Sequence, residues 1–324
     1  MNTRKKYLAA AITLAGTLAI ADQAAASVYA GSRLLVQDLS IVITEAGQTI
    51  PPGPITNFDF TGTNTATLNG VSDATQSATC GGLPPALGDN TCNATSPRLD
   101  PNAANAPGST VTRTDAVTFF GPTAGEQFAN SDSEITTAQL TGDATTSTKK
   151  IAEAELQTGL SASANAEIQS ITTFEFSFSV ADAGELTLTF QADPNLFVEI
   201  DQDAPPFAGG GAQANVAWTF GLTGEDGVNA GQAISWAPQG NANNNCDADF
   251  GVCVETADGE DLNRTVGTGV NPNANRYSDD RAGNGTSDLG WSNFGIAITG
   301  LDTGTYTLTL REVVSVQVSQ TRVP

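Results

Sequence analysis

Residues Phe174-Glu-Phe-Ser-Phe-Ser-Val180, then Ala181-Asp-Ala-Gly-Glu185, then Leu186-Thr-Leu-Thr-Phe190 decide the fold class. Phe174, Phe176, Phe178 and Val180 alternate with Glu175, Ser177 and Ser179, and Leu186, Leu188 and Phe190 alternate with Thr187 and Thr189. A strand sends successive side chains to opposite faces, so each arm has one apolar and one wet face. The connection carries Asp182 and Gly184 and predicts a hairpin. Burying these seven side chains contributes on the order of 10–20 kcal/mol gross, before chain entropy is subtracted. A lone hairpin cannot hide that face, so the rest of the chain must supply an opposing layer.

The same period continues on both sides. Val28 to Val36 and Leu39 to Thr44 read as strands separated by Gln37 and Asp38. Ser161 to Ile171 leads into the opening stretch as one long strand, and Leu196 to Ile200 resumes after the turn-forming Asp193-Pro-Asn195. Asn215 to Leu222 places Val216, Trp218, Phe220 and Leu222 on one face. Ala233 to Trp236, Phe294 to Ile298, Thr305 to Leu310 and the alternating Val314, Val316 and Val318 complete the set, with a turn at Gly300 to Gly304. Lys149 to Leu156 fits either helical turns or a strand. Ile50-Pro-Pro-Gly-Pro54 closes the first unit, and Gly209-Gly-Gly211 reads as a flexible hinge without the lysine of a phosphate loop. The predicted fold is an all-β, jelly-roll-like sandwich over residues 27–320. Two long polar excursions leave it, at 71–115 and 240–290. No fixed-period repeat is present.

Residues 1–26 read as a secretory signal. Arg4, Lys5 and Lys6 precede the mostly apolar Leu8 to Ala21, and Ala24-Ala-Ala26 supplies the cleavage site. The apolar run is shorter than the roughly 20 residues of a spanning helix. Removing this segment leaves 10 basic and 34 acidic residues, a net charge of −24. That charge repels nucleic acid phosphates and anionic lipids, and it favours divalent cations. Export makes disulfides the default for Cys80, Cys92, Cys246 and Cys253. Three pairings exist; the local ones, Cys80–Cys92 and Cys246–Cys253, are preferred over a zinc site, which lacks both the spacing and any histidine.

The absence of histidine excludes Ser-His and Cys-His nucleophile pairs and the H-E-x-x-H zinc motif. A glycosidase-type carboxylate pair cannot be singled out among so many acids, most of which read as a solvated face. Calcium is the candidate ion. Asp247, Asp249, Asp258 and Asp261 are its candidate ligands, because calcium takes several carboxylate and amide oxygens, although the full EF-hand loop is absent. Trp218 and Trp236 read as core anchors or sugar platforms, with core favoured; for Trp291 the two readings stand level. Asn93, Asn263 and Asn284 head glycosylation triplets.

Ser163 to Ser170 followed by the Phe174 to Phe190 stretch, then Ala233-Ile-Ser-Trp-Ala-Pro-Gln-Gly240 and Gly300 to Leu310, resemble in the same order the exosortase-dependent surface proteins of Gram-negative bacteria, the PEP-CTERM family. The likeness covers the second half of the chain. In that family a Pro-Glu-Pro motif, a membrane helix and a basic tail follow the last strand. Here residues 321–324 end at Arg322-Val-Pro324, where such a region would begin, so exosortase is an expected partner only if the sorting tail exists. The resemblance implies a non-enzymatic protein, secreted or on the outer cell surface, exported with exopolysaccharide, which, with other surface proteins, is its expected partner. The rivals are a secreted carbohydrate-binding module and a self-assembling surface-layer subunit.

Overall fold

The computed structural model describes residues 27–49, 56–72, 76–81, 90–95, 98–100, 109–111, 119, 121, 127–137, 146–157, 163–201, 207–241, 243–267, 276–280 and 290–322. The expected signal segment and the Pro-rich stretch at 50–54 lie outside them. In chain order the strands are β1 (Ser27–Glu45), β2 (Gln48–Thr49), β3 (Thr56–Leu68), β4 (Val71–Ser72), β5 (Gln76–Gly81), β6 (Asn90–Thr95), β7 (Arg98–Asp100), β8 (Ser109–Val111), β9 (Phe128–Thr137) and β10 (Thr146–Gln157). There follow β11 (Ser163–Val180), β12 (Gly184–Asp201), β13 (Phe207–Gly224), β14 (Ala233–Trp236), β15 (Cys246–Ala248), β16 (Val252–Asp258), β17 (Arg264–Val266), β18 (Arg276–Asp280), β19 (Ser292–Leu301) and β20 (Gly304–Arg322). Among the described residues the only helical segment is a single 3-10 turn at Gly227–Asn229.

The strands form two antiparallel sheets. The first runs β16-β19-β12-β1-β10-β9-β7-β8, with β18 beside β12, β2 beside β1 and β6 beside β9. The second runs β15-β14-β13-β20-β11-β3-β4, with β17 beside β13 and β5 beside β3. The expected all-β sandwich is therefore the fold. The expected hairpin is not part of it. β11 pairs with β20 and β3, whereas β12 pairs with β1, β19 and β18, so the link at Ala181–Ala183 crosses from one sheet to the other. The alternation itself holds: Phe178, Val180, Leu186, Leu188 and Phe190 are all buried. They face one another across the core instead of lying side by side.

The interior is anchored on Phe190. Its ring stacks on Trp218 at 4.5 Å and on Phe294 at 5.0 Å between centroids, and it meets Trp236 edge-on at 6.1 Å. Phe190 and Phe294 come from the first sheet and both tryptophans from the second, so the cluster joins the layers. Trp218 and Trp236 are core anchors, as the favoured reading had it.

Other expectations change for local reasons. Gln37 and Asp38 do not separate two strands; they form a bulge inside β1, with Asp38 at φ 56°. The extra residue resets the period, so Val28, Ala30, Leu34 and Val36 before it and Leu39, Ile41 and Ile43 after it are all buried. Asp193-Pro-Asn195 is not a turn but the middle of β12. Pro194 lies between the end of the β19 ladder at Ala192 and the start of the β18 ladder at Phe197, a gap where a proline is tolerated. Gly209-Gly-Gly211 is not a hinge; it is strand, paired with Gln320, Ser319 and Thr321 of β20. Lys149 to Leu156 is strand, in β10. Both polar excursions contribute strands, β4 to β8 from the first and β15 to β18 from the second. Cys80 and Cys92 sit on β5 and β6, in opposite sheets, but their side chains lie outside the described residues.

Away from the aromatic cluster the interior turns polar. Asn64 of β3 donates to Ser133 Oγ of β9 at 3.1 Å, and Lys150 of β10 meets Glu312 of β20 at 3.4 Å. Phe119 and Gly121 pack on the outer face of the first sheet near β1. Tyr29 Oη and the Gly121 amide both donate to Glu153 Oε1, at 2.7 and 2.8 Å, and the Phe119 ring lies 5.6 Å from the Arg33 guanidinium carbon. A Cβ on Gly31 would stand 2.7 Å from that ring, so the close approach requires glycine.

At the end of the sandwich Tyr306 is buried, donates to the Asp302 carbonyl at 2.7 Å and accepts from Asn229 Nδ2 at 2.9 Å. Burial raises its phenol above the ordinary value. A raised folded value means that this contribution to stability is complete below the unfolded phenol's pKa of about 10 and is lost as pH rises through the folded one. Denaturant titrations from about pH 8 to 12 should show wild type losing stability above pH 10 relative to Tyr306→Phe, with parallel profiles below it.

Candidate functional site

The second polar excursion closes into a compact loop system against the β14 and β16 ends of the two sheets. Cys246 on β15 and Cys253 on β16 form a disulfide with Cα atoms 5.9 Å apart, the pairing read from the sequence. The asparagines upstream then act as backbone surrogates. Asn244 Nδ2 donates to the Cys253 carbonyl at 2.9 Å and its Oδ1 accepts the Glu255 amide at 3.0 Å, which extends the ladder of β16 by one side chain. Asn263 does the same for β13. It accepts from the Trp218 amide at 3.2 Å and donates to the Trp218 carbonyl at 3.0 Å and the Pro238 carbonyl at 2.9 Å. Its amide nitrogen is thus engaged within the protein, which argues against the glycosylation read from its triplet.

Two carboxylates hold the loop from below. Glu255 Oε1 accepts from Trp236 Nε1 at 2.5 Å, and its Oε2 accepts the Asn245 amide at 3.3 Å. Asp258 Oδ2 accepts the amides of Gln239 at 3.1 Å and Asn241 at 3.3 Å and the Asn245 side chain at 3.4 Å. Gly240 passes between them at φ 65°, where a Cβ would stand 2.5 Å from the Asp261 amide nitrogen. Arg264 closes the far side, 2.6 Å from Glu260 Oε1 and within reach of the Pro194 carbonyl at 3.4 Å.

These residues enclose an open pocket of about 240 Å³, lined by Asn241, Asn243, Asn244, Glu255, Thr256, Ala257 and Asp258. Every side chain here except Ala257 presents an amide, carboxylate or hydroxyl. Such a lining suits a hydroxyl-rich ligand or a hard cation. Trp291 precedes Ser292 of β19, whose Cβ lies 2.9 Å from where a Gly259 Cβ would be, and Gly259 follows Asp258. Trp291 is 42% exposed.

The four calcium candidates fare differently. Asp258 lines the pocket. Asp249 Oδ2 accepts the Ala233 amide at 3.1 Å, Asp261 Oδ1 accepts the Asn263 amide at 2.7 Å, and Asp247 is exposed on β15. No group of three or more His, Cys, Asp or Glu side chains able to hold a metal occurs among the described residues. Glu255 belongs to the site and was not among the residues singled out from the sequence. Its position two residues after Cys253, at a staple already flagged, was the available signal.

The chain is thus a two-sheet β-sandwich carrying a disulfide-stapled polar loop site. No family model matches it, and no curated protein does. Two solved structures align along most of its length at very low similarity. One is titled structure of infectious bursal disease virus Gx strain: 13% identity, 91% of this chain, 78% of that chain, TM-score 0.10. The other is titled crystal structure of infectious bursal disease virus VP2 subviral particle: 10% identity, 97% of this chain, 85% of that chain, TM-score 0.09. At such scores the likeness carries no argument. No helix among the described residues is long and apolar enough to cross a membrane.

Replacing Cys246 and Cys253 by serine should lower stability by about 2–3 kcal/mol through the freed short ring. Hydrogen exchange of the Asn245 and Glu255 amides should rise further than that of the Trp218 amide, which checks that the staple orders the loop specifically.

Proposed function

We propose that the chain is an exported, non-enzymatic protein of a Gram-negative cell surface or extracellular matrix, of the exosortase-dependent type associated with exopolysaccharide. The observation that carries this reading is the ordered set of segments that resemble that family. They fall on the core strands β11, β12, β14 and β20 and the crossing link between β19 and β20, where the sandwich is built. The disulfide between Cys246 and Cys253 supports an oxidising compartment. The outward faces fit the same setting: Ser177 and Thr307 hydrogen-bond at 3.1 Å, and Gln37, Gln191 and Asn293 form an amide ladder across three strands.

Within that role, the polar pocket and the exposed Trp291 favour binding of a neutral polysaccharide. An aromatic face stacks on a sugar ring while amides and carboxylates take its hydroxyls. Trp218 and Trp236, the other aromatics eligible as platforms, are buried and are not part of this reading.

Expression of the gene in a Gram-negative host, with cell fractionation and N-terminal sequencing, should recover a chain beginning at Ser27 outside the inner membrane. A chain retained uncleaved in the cytosol would overturn the exported reading. Affinity electrophoresis in gels containing the producer's exopolysaccharide should retard the wild type and release Trp291→Ala by tenfold or more in apparent affinity. Equal mobility of the two would remove the polysaccharide reading and leave the exported one standing.

A further inference from the structure

β20 keeps one inward face through Leu308, Leu310, Val314 and Val316, and Glu312 occupies the same register. On the opposing sheet β10 turns Thr148 and Lys150 inward, in register with Ala152, Ala154 and Leu156. Lys150 and Glu312 therefore meet between the sheets, both 0% exposed, with Lys150 Nζ 3.4 Å from Glu312 Oε2. Thr148 Oγ1 donates to that same oxygen at 2.8 Å. Among the described residues Lys150 Nζ, beyond that ion pair, and Glu312 Oε1 have no hydrogen-bond partner. A buried ion pair is costly when its remaining donors and acceptors go unsatisfied, and this pair leaves both partners underused.

We propose that Lys150 and Glu312 condense into an intramolecular amide that covalently joins the two sheets. The bond forms between Lys150 Nζ and Glu312 Cδ, and the bond from Cδ to Oε1 breaks. The ammonium gives up two of its three protons, and both leave with Oε1 as one water molecule. No oxidant, reductant or outside reagent enters.

Four features of the site favour the step. Burial lowers the Lys150 amine to about 8, with Glu312 opposing the shift, so a neutral nucleophilic amine is accessible near neutral pH. A proton passed from the ammonium to Glu312 yields the amine and the carboxylic acid together, in a site from which water is excluded. The Thr148 hydroxyl already points at Oε2, the oxygen that carries negative charge in the tetrahedral intermediate and remains as the amide carbonyl. Holding both groups on rigid facing strands replaces a bimolecular encounter with an intramolecular one. The product also removes what the pair lacked: Oε1 departs, the charges vanish, and the Thr148 hydrogen bond is kept.

Intact mass spectrometry of the folded mature chain, after reduction of its disulfides, tests the proposal. The expected mass is that of the sequence less one water, with a branched peptide joining Lys150 to Glu312 in the tandem spectra of a digest. Lys150→Arg and Glu312→Ala should both restore the full sequence mass. A folded wild-type chain at the unmodified mass would overturn the proposal, and so would a deficit that persists in either variant. Should the variants fail to fold, the wild-type mass and the branched peptide still decide.

Discussion

Two apolar faces joined by a three-residue link must each be covered, and the link at Ala181–Ala183 does this by putting them in different sheets. β11 and β12 then cover one another, and the separation of the layers is set by the rings between them. Phe190 from β12, stacked on Trp218 at 4.5 Å, fixes that separation at the centre. The chain crosses between sheets at several other places, notably from β10 to β11, β12 to β13 and β19 to β20. Each crossing returns an alternating strand to the same core, so both layers are assembled from strands distant in sequence.

The interior built this way is not uniform. Around Phe190 it is aromatic and dry. Toward β3, β9, β10 and β20 it carries Asn64, Ser133, Thr148, Lys150 and Glu312, which meet across the layers. The apolar half supplies burial energy in a way that tolerates some repacking. The polar half is geometrically demanding, because each donor must find its acceptor, and such groups favour one register over its neighbours. The acidic exterior, by contrast, meets water. The protein therefore divides its polar chemistry between a solvated surface and a specific inter-sheet seam.

The period of two told which face each described side chain would take, and that much was legible: the alternation of Phe178 to Phe190, the long strand from Ser163 and the valines of β20. It carries no information about which strand lies alongside, which is why Phe178 and Leu186 read as a hairpin when they belong to opposite layers. Local turn chemistry misled where tertiary pairing overrode it. Asp193-Pro-Asn195 and Gly209-Gly-Gly211 carry turn and hinge residues, yet the ladders of β12 and β13 run through them. The loop site was legible as a disulfide-stapled, Asn-rich excursion. What Asp249, Asp258 and Asp261 do there was not, because capping a backbone amide and binding a cation call for the same side chain. Glu312 was in plain view, a charge in an apolar register, and only the opposing Lys150 gives it meaning.

The exported, binding role proposed for this scaffold calls for a rigid platform that presents a polar loop, and the crossed, aromatic-centred sandwich would serve as one. Cross-strand Hα–Hα contacts measured by NMR test the architecture most directly. The account predicts contacts between β11 and β20, near Phe178 and Tyr306, and between β12 and β19, near Leu188 and Ile296, with none between β11 and β12. A ladder of contacts between β11 and β12 flanking Ala181–Ala183 would contradict it.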